Sequence, residues 1–132
     1  MTVIKETISR ALLPFLLLYS IYILTHGHIS PGGGFQGGVL LASTIILVCV
    51  VYGLQKAEHI IEEGTSHRIE AAAGIILAFL VVFELFLRNA LIATEPVLHL
   101  WSGREIMLLN VTGGAMVMTA FIIIFYSMVK EK

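Results

Sequence analysis

Two ionisable side chains lie inside an otherwise apolar stretch of this sequence. Glu84 and Arg88 are four residues apart within the run 69–91, so on a helix they share one face. Glu84 lies about 22 Å along that helix from Ile69, at a rise of about 1.5 Å per residue. A charge at such depth in hydrocarbon costs about 2.5–3.5 kcal/mol, so residues of this kind are often functional. Two interpretations stay open: Glu84 belongs to a proton or cation route, or it pairs with Arg88 in an ion pair that reaches the membrane surface or docks a partner subunit.

A second group of polar side chains lies in the run 26–38. Histidine is the side chain best suited to proton exchange near neutral pH, so His26 and His28 could hydrogen-bond at a turn or exchange protons near an entrance. Gln36 and the exposed backbone amides could line part of an ion or proton route. Two imidazoles are too few for an ordinary metal site, so we predict neither a metal nor a cofactor.

The same run is dense in glycine. Beside the histidines and Gln36 it contains Pro31, Gly32, Gly33, Gly34, Phe35, Gly37 and Gly38. Each glycine inside a helix costs about 1 kcal/mol relative to alanine, and irregular backbone at membrane depth is tolerated only when it is covered or wet. The pairs Gly33/Gly37 and Gly34/Gly38 match the spacing of close helix packing. The pattern therefore favours a tight turn with a close helix contact, or a turn that borders an ion route.

Four long apolar runs surround these residues. Hydrophobic residues make up 58% of the chain and charged residues 13%, so an ordinary soluble domain is excluded. The runs cover about 8–25, 36–55, 69–91 and 106–129, and each is long enough to cross a bilayer. Glu70 and Asn110 fall near the ends of two runs, where we expect them to meet the membrane surface. The predicted fold is all-α, a polytopic membrane protein with four transmembrane helices in a single domain, 1–132.

Basic residues predict how the chain crosses the membrane. They cluster before the first span, in the middle loop and in the C-terminal tail: Lys5, Arg10, Lys56, Arg68, Lys130 and Lys132. The first loop has none, and the third has only Arg104, with Arg88 near the end of the preceding span. Because basic residues favour the cytoplasmic side, we expect both termini in the cytoplasm of a multi-pass protein of the cell (inner) membrane. The glycine-rich run then faces the outer side.

Several functional classes do not fit this sequence. The net charge of −1 and the lack of a basic stripe argue against nucleic-acid binding. Cys49 is the single cysteine, so no disulfide can form within the chain. The formal dinucleotide fingerprint Gly32-x-Gly34-x-x-Gly37 lies between two spans rather than in a βαβ unit. Because the sequence shows no nucleophile–base pair, we do not expect an enzyme active on its own.

The glycine-rich run carries a resemblance to a known family. It reads Gly27-His28-x-x-Pro31-Gly32-Gly33-Gly34-Phe35-Gln36-Gly37-Gly38 and follows a span that holds Arg10 and Pro14. In this it resembles the MnhB-type component of multisubunit Mrp-type (Mnh-type) sodium/proton antiporters, over nearly the whole chain. The resemblance implies other antiporter subunits as partners, the lipid bilayer as surroundings, and sodium ions and protons as the transported species. Homologous subunits also occur in archaeal membrane-bound hydrogenase and sulfane reductase complexes.

The resemblance implies an accessory subunit that shapes the ion-conducting interface of a larger antiporter. With one embedded acid and no lysine in the middle of a span, the chain has too few ionisable groups to conduct protons across the membrane alone. In the related assemblies, the main proton-conducting residues lie in larger subunits. Three alternatives stay open: an antiporter-like subunit of a redox-driven hydrogenase or sulfane reductase complex, a stand-alone four-helix cation exporter, and a purely structural subunit.

Overall fold

Helices account for nearly all of the described chain. The computed structural model describes residues 2–27, 29, 32–90 and 98–131, with the backbone alone at 2, 87–89 and 98–105. These residues form five helices and no strand, in the order α1 (Thr2–His26), α2 (Gly34–Tyr52), α3 (Leu54–Ile60), α4 (Glu63–Ala90) and α5 (Leu98–Lys130). The predicted all-α fold is confirmed.

Four of the five helices are long and apolar enough to cross a membrane. These segments are Val3–His26, Gly34–Tyr52, Glu63–Phe86 and Ile106–Lys130. Each overlaps one of the predicted runs, because a bilayer about 30 Å thick needs about 20 apolar residues in helical form. The structure thus confirms four helices capable of spanning a membrane.

Helix boundaries differ from those expected at several places. Helices α1 and α4 begin at Thr2 and Glu63, six residues before the predicted starts at 8 and 69. The predicted second run, 36–55, is interrupted at Gly53, whose φ of +91° suits glycine and ends α2 before the short helix α3 begins. Residues 98–105, expected in a connector, form the first turns of α5. The reason is that hydropathy marks the part of a helix that fits the bilayer, whereas the helical backbone can continue beyond that part.

Helix α5 lies at the centre of the arrangement. It packs along α2 on one side and along α4 on another, while α1 packs along α2 and touches α5 over a shorter length. The apolar core lies between α2 and α5, where Ile45 and Cys49 meet Ile122 and Tyr126. Helix α4 therefore depends mainly on α5 for its position.

The end of α5 holds the connector between α3 and α4, and we call this the connector end of the bundle. The Lys130 ammonium pairs with the carboxylates of Glu58 at 2.7 Å and Glu63 at 2.5 Å. The buried Tyr126 hydroxyl donates a hydrogen bond to the carbonyl oxygen of Ile61 at 3.1 Å. One basic group and one phenol thus secure the connector beneath α5.

The beginning of α1 lies at the connector end as well. The Tyr52 hydroxyl, at the end of α2, is 3.5 Å from the carbonyl oxygen of Glu6 and donates to it. Because Lys130 is also at this end, both ends of the described chain lie on one side of the bundle. This agrees with the predicted even number of crossings; that the side is cytoplasmic stays a prediction.

Large apolar faces remain exposed on the outer helices. Phe15 of α1 is 71% exposed, and Ile75 and Phe79 of α4 are 72% and 65% exposed. Such contiguous apolar surface is rarely left in contact with water. In a membrane, these faces meet lipid or neighbouring polypeptides.

Candidate functional site

The glycine-rich run joins α1 to α2 at the end of the bundle opposite the connector, which we call the turn end. The Ile29 amide donates to the His26 carbonyl at 3.0 Å and closes the chain after α1. Gly32 follows with φ +138°, a backbone conformation that side chains with a β-carbon rarely adopt. Gly33 is extended, and α2 begins at Gly34. Local backbone preference therefore explains why glycine stands at position 32.

The backbones of α2 and α5 touch at two glycines of the run. A β-carbon on Gly34 would lie 2.5 Å from the carbonyl oxygen of Asn110, and one on Gly38 would lie 2.5 Å from that of Gly114. Neither backbone atom can move aside without shifting a helix. The pair Gly34/Gly38 thus provides the close helix contact that its spacing favours.

One leucine of α1 fills the space that two other glycines leave. A β-carbon on Gly37 would lie 2.5 Å from the Leu24 Cγ, and one on Gly114 would overlap the Leu24 Cδ2. Leu24 is only 8% exposed. It therefore acts as a knob between α2 and α5, and it fixes α1 in the same junction.

Asn110 of α5 reaches into the glycine-rich run. Its Oδ1 accepts a hydrogen bond from the Gly34 amide at 3.3 Å. A β-carbon on Gly33 would lie 3.2 Å from that oxygen, and one on Gly27 would lie 2.7 Å from Nδ2. The expectation that Asn110 serves only as a membrane-surface residue did not foresee this contact. The signal in the sequence is an amide one turn before Gly113 and Gly114, in an apolar run.

His26 ends α1 with an exposed side chain that has neighbours. Its ring stacks on Tyr22 with centroids 4.4 Å apart, and its Nδ1 is 3.1 Å from the Thr25 hydroxyl oxygen. His28 and Pro31 lie outside the described residues. Hydrogen bonding at the turn or proton exchange by the two histidines therefore stays a prediction.

Gln36 and Phe35 stand on the first turn of α2 with exposed side chains. The Gln36 Oε1 lies 2.7 Å from where a β-carbon on Gly32 would be, so the side chain folds back over that glycine. Phe35 is 64% exposed, and its ring is 6.5 Å from that of Phe121 in an edge-on arrangement. Exposure keeps both side chains accessible to a neighbouring polypeptide.

Glu84 lies on the face of α4 that packs against α5. It is half-buried and follows Ala73, Leu77 and Leu80 along one helical stripe. Leu77 meets α5 at Gly113, where a β-carbon would lie 3.8 Å from its Cδ1. The two helices are antiparallel, so Glu84 is about one turn, or about 6 Å, beyond Asn110 along α5. The acid is therefore near the turn end and on the protein-facing side of its helix.

The other half of the predicted pair, Arg88, lies in α4, but its side chain is outside the described part of the structure. Among the described residues, no hydrogen bond or ion pair joins Glu84 to the glycine-rich run. Nor do three histidine, cysteine or acidic side chains of that part come together in a way that could hold a metal ion. The arrangement at the turn end is a packed junction of three helices with an acid one turn away.

Comparison with known proteins identifies a family. The family model described as a domain related to the MnhB subunit of Na+/H+ antiporter matches residues 4–129. This match covers all four helices that could cross a membrane and includes the turn end.

Individual relatives agree with the family model. The chain is 34% identical to the B-type Na(+)/H(+) antiporter subunit of Bacillus subtilis over 77 residues, 58% of this chain and 52% of the relative. It is 30% identical to the protein of the same name from Alkalihalophilus pseudofirmus over 81 residues, 61% of this chain and 55% of the relative. A Staphylococcus saprophyticus protein whose name refers to antiporter subunit mnhB2 is 29% identical over 112 residues, 83% of this chain and 78% of the relative.

The matches to the Bacillus and Alkalihalophilus proteins span only about half of those relatives' lengths. The family model, by contrast, extends over almost the whole of this chain. Together with the four apolar helices, these matches establish a multi-pass protein of the cell membrane, and the chain belongs to the MnhB family of Na+/H+ antiporter subunit domains.

Proposed function

We propose that this chain is an accessory integral membrane subunit of a multisubunit sodium/proton antiporter, in which the turn end shapes the ion-conducting interface. The observation that carries the proposal is the family match over residues 4–129. The names of the relatives supply the ions and the reaction class: exchange of Na+ for H+. As a transporter subunit, the chain has no chemical reaction of its own to catalyse.

The distribution of charge supports an accessory role. Glu84 is the single acid in the middle of a predicted span, and no lysine lies in the middle of any span. A proton route across about 30 Å of hydrocarbon needs several ionisable groups or waters in succession. Partner subunits would supply the remaining groups, and the exposed apolar faces of α1 and α4 leave room for them.

The turn end is the part of the chain best suited to meet such a partner. Phe35, Gln36 and His26 present exposed side chains there, beside glycines whose backbone packs against α5 and Leu24. We place it at the outer leaflet, with both termini in the cytoplasm, on the distribution of basic residues. A neighbouring polypeptide would meet these exposed side chains rather than the buried glycines.

Transport by the assembled complex tests the proposal. The genes that neighbour this chain's own gene would be expressed in an antiporter-deficient bacterium, with and without this chain. Everted membrane vesicles would be energised, and the loss of the pH gradient after addition of Na+ measured by a fluorescent dye. We expect antiport only when this chain and its partners are both present.

Other outcomes contradict the proposal in specific ways. Sodium efflux by this chain without partners would identify a stand-alone exporter. Ion movement that needs an added reductant or electron acceptor would identify a redox-driven complex. If the remaining subunits show undiminished antiport without this chain, the chain is not needed for transport.

A further inference from the structure

The first turn of α2 receives a cap from a residue far away in the sequence. Gly33, which precedes the helix, has no side chain to satisfy the free amides of the first turn. The Oδ1 of Asn110, 76 residues later, accepts from the Gly34 amide instead. A cap of this kind normally comes from the residue just before the helix. Here the tertiary contact replaces it.

The space for the Asn110 side chain exists because glycines surround it. β-Carbons on Gly27 and Gly33 would lie 2.7 Å and 3.2 Å from its Nδ2 and Oδ1 atoms. Those two glycines belong to the chain leaving α1 and the chain entering α2. One amide side chain therefore touches both sides of the turn.

The position of Asn110 also joins the two halves of the molecule. At the connector end, Tyr126 and Lys130 of α5 hold the segment between α3 and α4. At the turn end, Asn110 makes the side-chain hydrogen bond from α5 to α2 that the structure describes. Because α4, which carries Glu84, packs on α5, this bond and the close α2–α5 packing together place the turn relative to Glu84.

We infer that Asn110 is a positioning residue that holds the glycine-rich turn in register with α5, and through it with α4. This inference rests on the proposed antiporter function for its transport readout. Asn110 acts through the backbone of Gly34 and need not touch an ion. Its loss shifts the turn and alters how the assembled complex responds to Na+ and to pH.

Two variants of the whole complex separate this role from simple packing. Asn110→Leu keeps the branched side chain of four heavy atoms and removes the acceptor, whereas Asn110→Asp keeps an acceptor oxygen at the N-terminus of α2, where a negative charge is favourable. We expect Asn110→Leu to raise the Na+ concentration for half-maximal antiport by about tenfold, as the loss of a partly buried hydrogen bond allows. Asn110→Asp should restore most of the wild-type Na+ dependence and pH profile.

Thr112→Val is the matched control, because the Thr112 hydroxyl donates only within its own helix, to Leu108 and Leu109. It removes a polar atom from the same part of α5 and should leave the Na+ dependence unchanged. A normal Na+ dependence and pH profile in an assembled Asn110→Leu complex would overturn the inference. Equal impairment of Asn110→Leu and Asn110→Asp, in transport or in assembly, would overturn it as well.

Hydrogen exchange supplies a readout that does not need transport. In the purified complex, Asn110→Leu should speed exchange of the Gly34 amide by about tenfold, and Asn110→Asp should not. If the wild-type complex shows no antiport but this difference is present, the proposed function fails and the positioning contact stands. If exchange is the same in all variants, Asn110 does not hold the turn.

Discussion

At the scale of single residues, the chain places very few polar side chains where they can act. Glu84 is half-buried on the face of α4 toward α5, rather than on the face that carries exposed Ile75 and Phe79. An acid on the lipid face would have to reach the membrane surface to be hydrated. On the inner face it can instead exchange a proton or bind a cation at a junction with protein.

Replacement of Glu84 by glutamine tests whether it is part of the ion route. The variant keeps the shape and removes the charge, so we expect antiport by the assembled complex to fall by about tenfold, or about 1.4 kcal/mol in barrier height. The pH dependence of antiport should change too. Both are measured by dye fluorescence in everted vesicles over a pH series.

Glu70→Gln is the control for that experiment. Glu70 lies on the same helix near the connector end, partly exposed and 3.9 Å from His67, and should tolerate the change. If Glu84→Gln shows the wild-type antiport rate and an unchanged pH profile, Glu84 has a structural role only.

At the scale of the helices, glycine decides how closely α2 and α5 approach. In lipid, apolar burial does not drive two helices together, so close backbone packing has to do so. Gly34, Gly38 and Gly114 provide it, and Leu24 fills the remaining gap from α1. Further toward the connector end, Ile45, Ile122 and Tyr126 continue the same contact with larger side chains.

Two identical substitutions at different glycines should have opposite effects. In Gly38→Ala the new carbon would lie 2.5 Å from the Gly114 carbonyl oxygen, so the helices must separate, and overpacking of this kind costs about 1–3 kcal/mol. In Gly74→Ala the nearest atom is the Met116 Cε at 3.7 Å, an ordinary contact, while helix propensity improves by about 1 kcal/mol. The midpoint of thermal unfolding in detergent should fall for the first variant and hold or rise for the second. Equal midpoints would mean that the α2–α5 approach is looser than the structure indicates.

At the scale of the whole molecule, the bundle has two different ends. Salt bridges and a phenol secure the connector end, and glycines with one asparagine form the turn end. Between them, only a thin core is buried, and the outer faces of α1 and α4 are apolar and exposed. A molecule of this form suits a bilayer and a larger assembly better than it suits isolation in water.

Cysteine labelling determines which end faces the cytoplasm. Ile29 is 74% exposed at the turn end, and Glu131 is exposed at the connector end, so either position accepts a cysteine. With a membrane-impermeant maleimide on intact cells, Ile29→Cys should react at once and Glu131→Cys only after the membrane is permeabilised. The native Cys49 is only 7% exposed within α2 and should leave the background low. The reverse pattern would place the turn in the cytoplasm.

The amino-acid sequence was enough to predict four apolar helices long enough to cross a membrane, because bilayer thickness and hydropathy act on contiguous residues. It also placed the break between α1 and α2, since glycine and proline disfavour helix locally. Three contacts became visible only in the folded bundle: Asn110 caps a helix 76 residues away, Leu24 fits between Gly37 and Gly114, and Glu84 faces α5. Such contacts depend on how the helices dock against one another, and that docking follows from shape complementarity between distant segments rather than from the preference of any one of them.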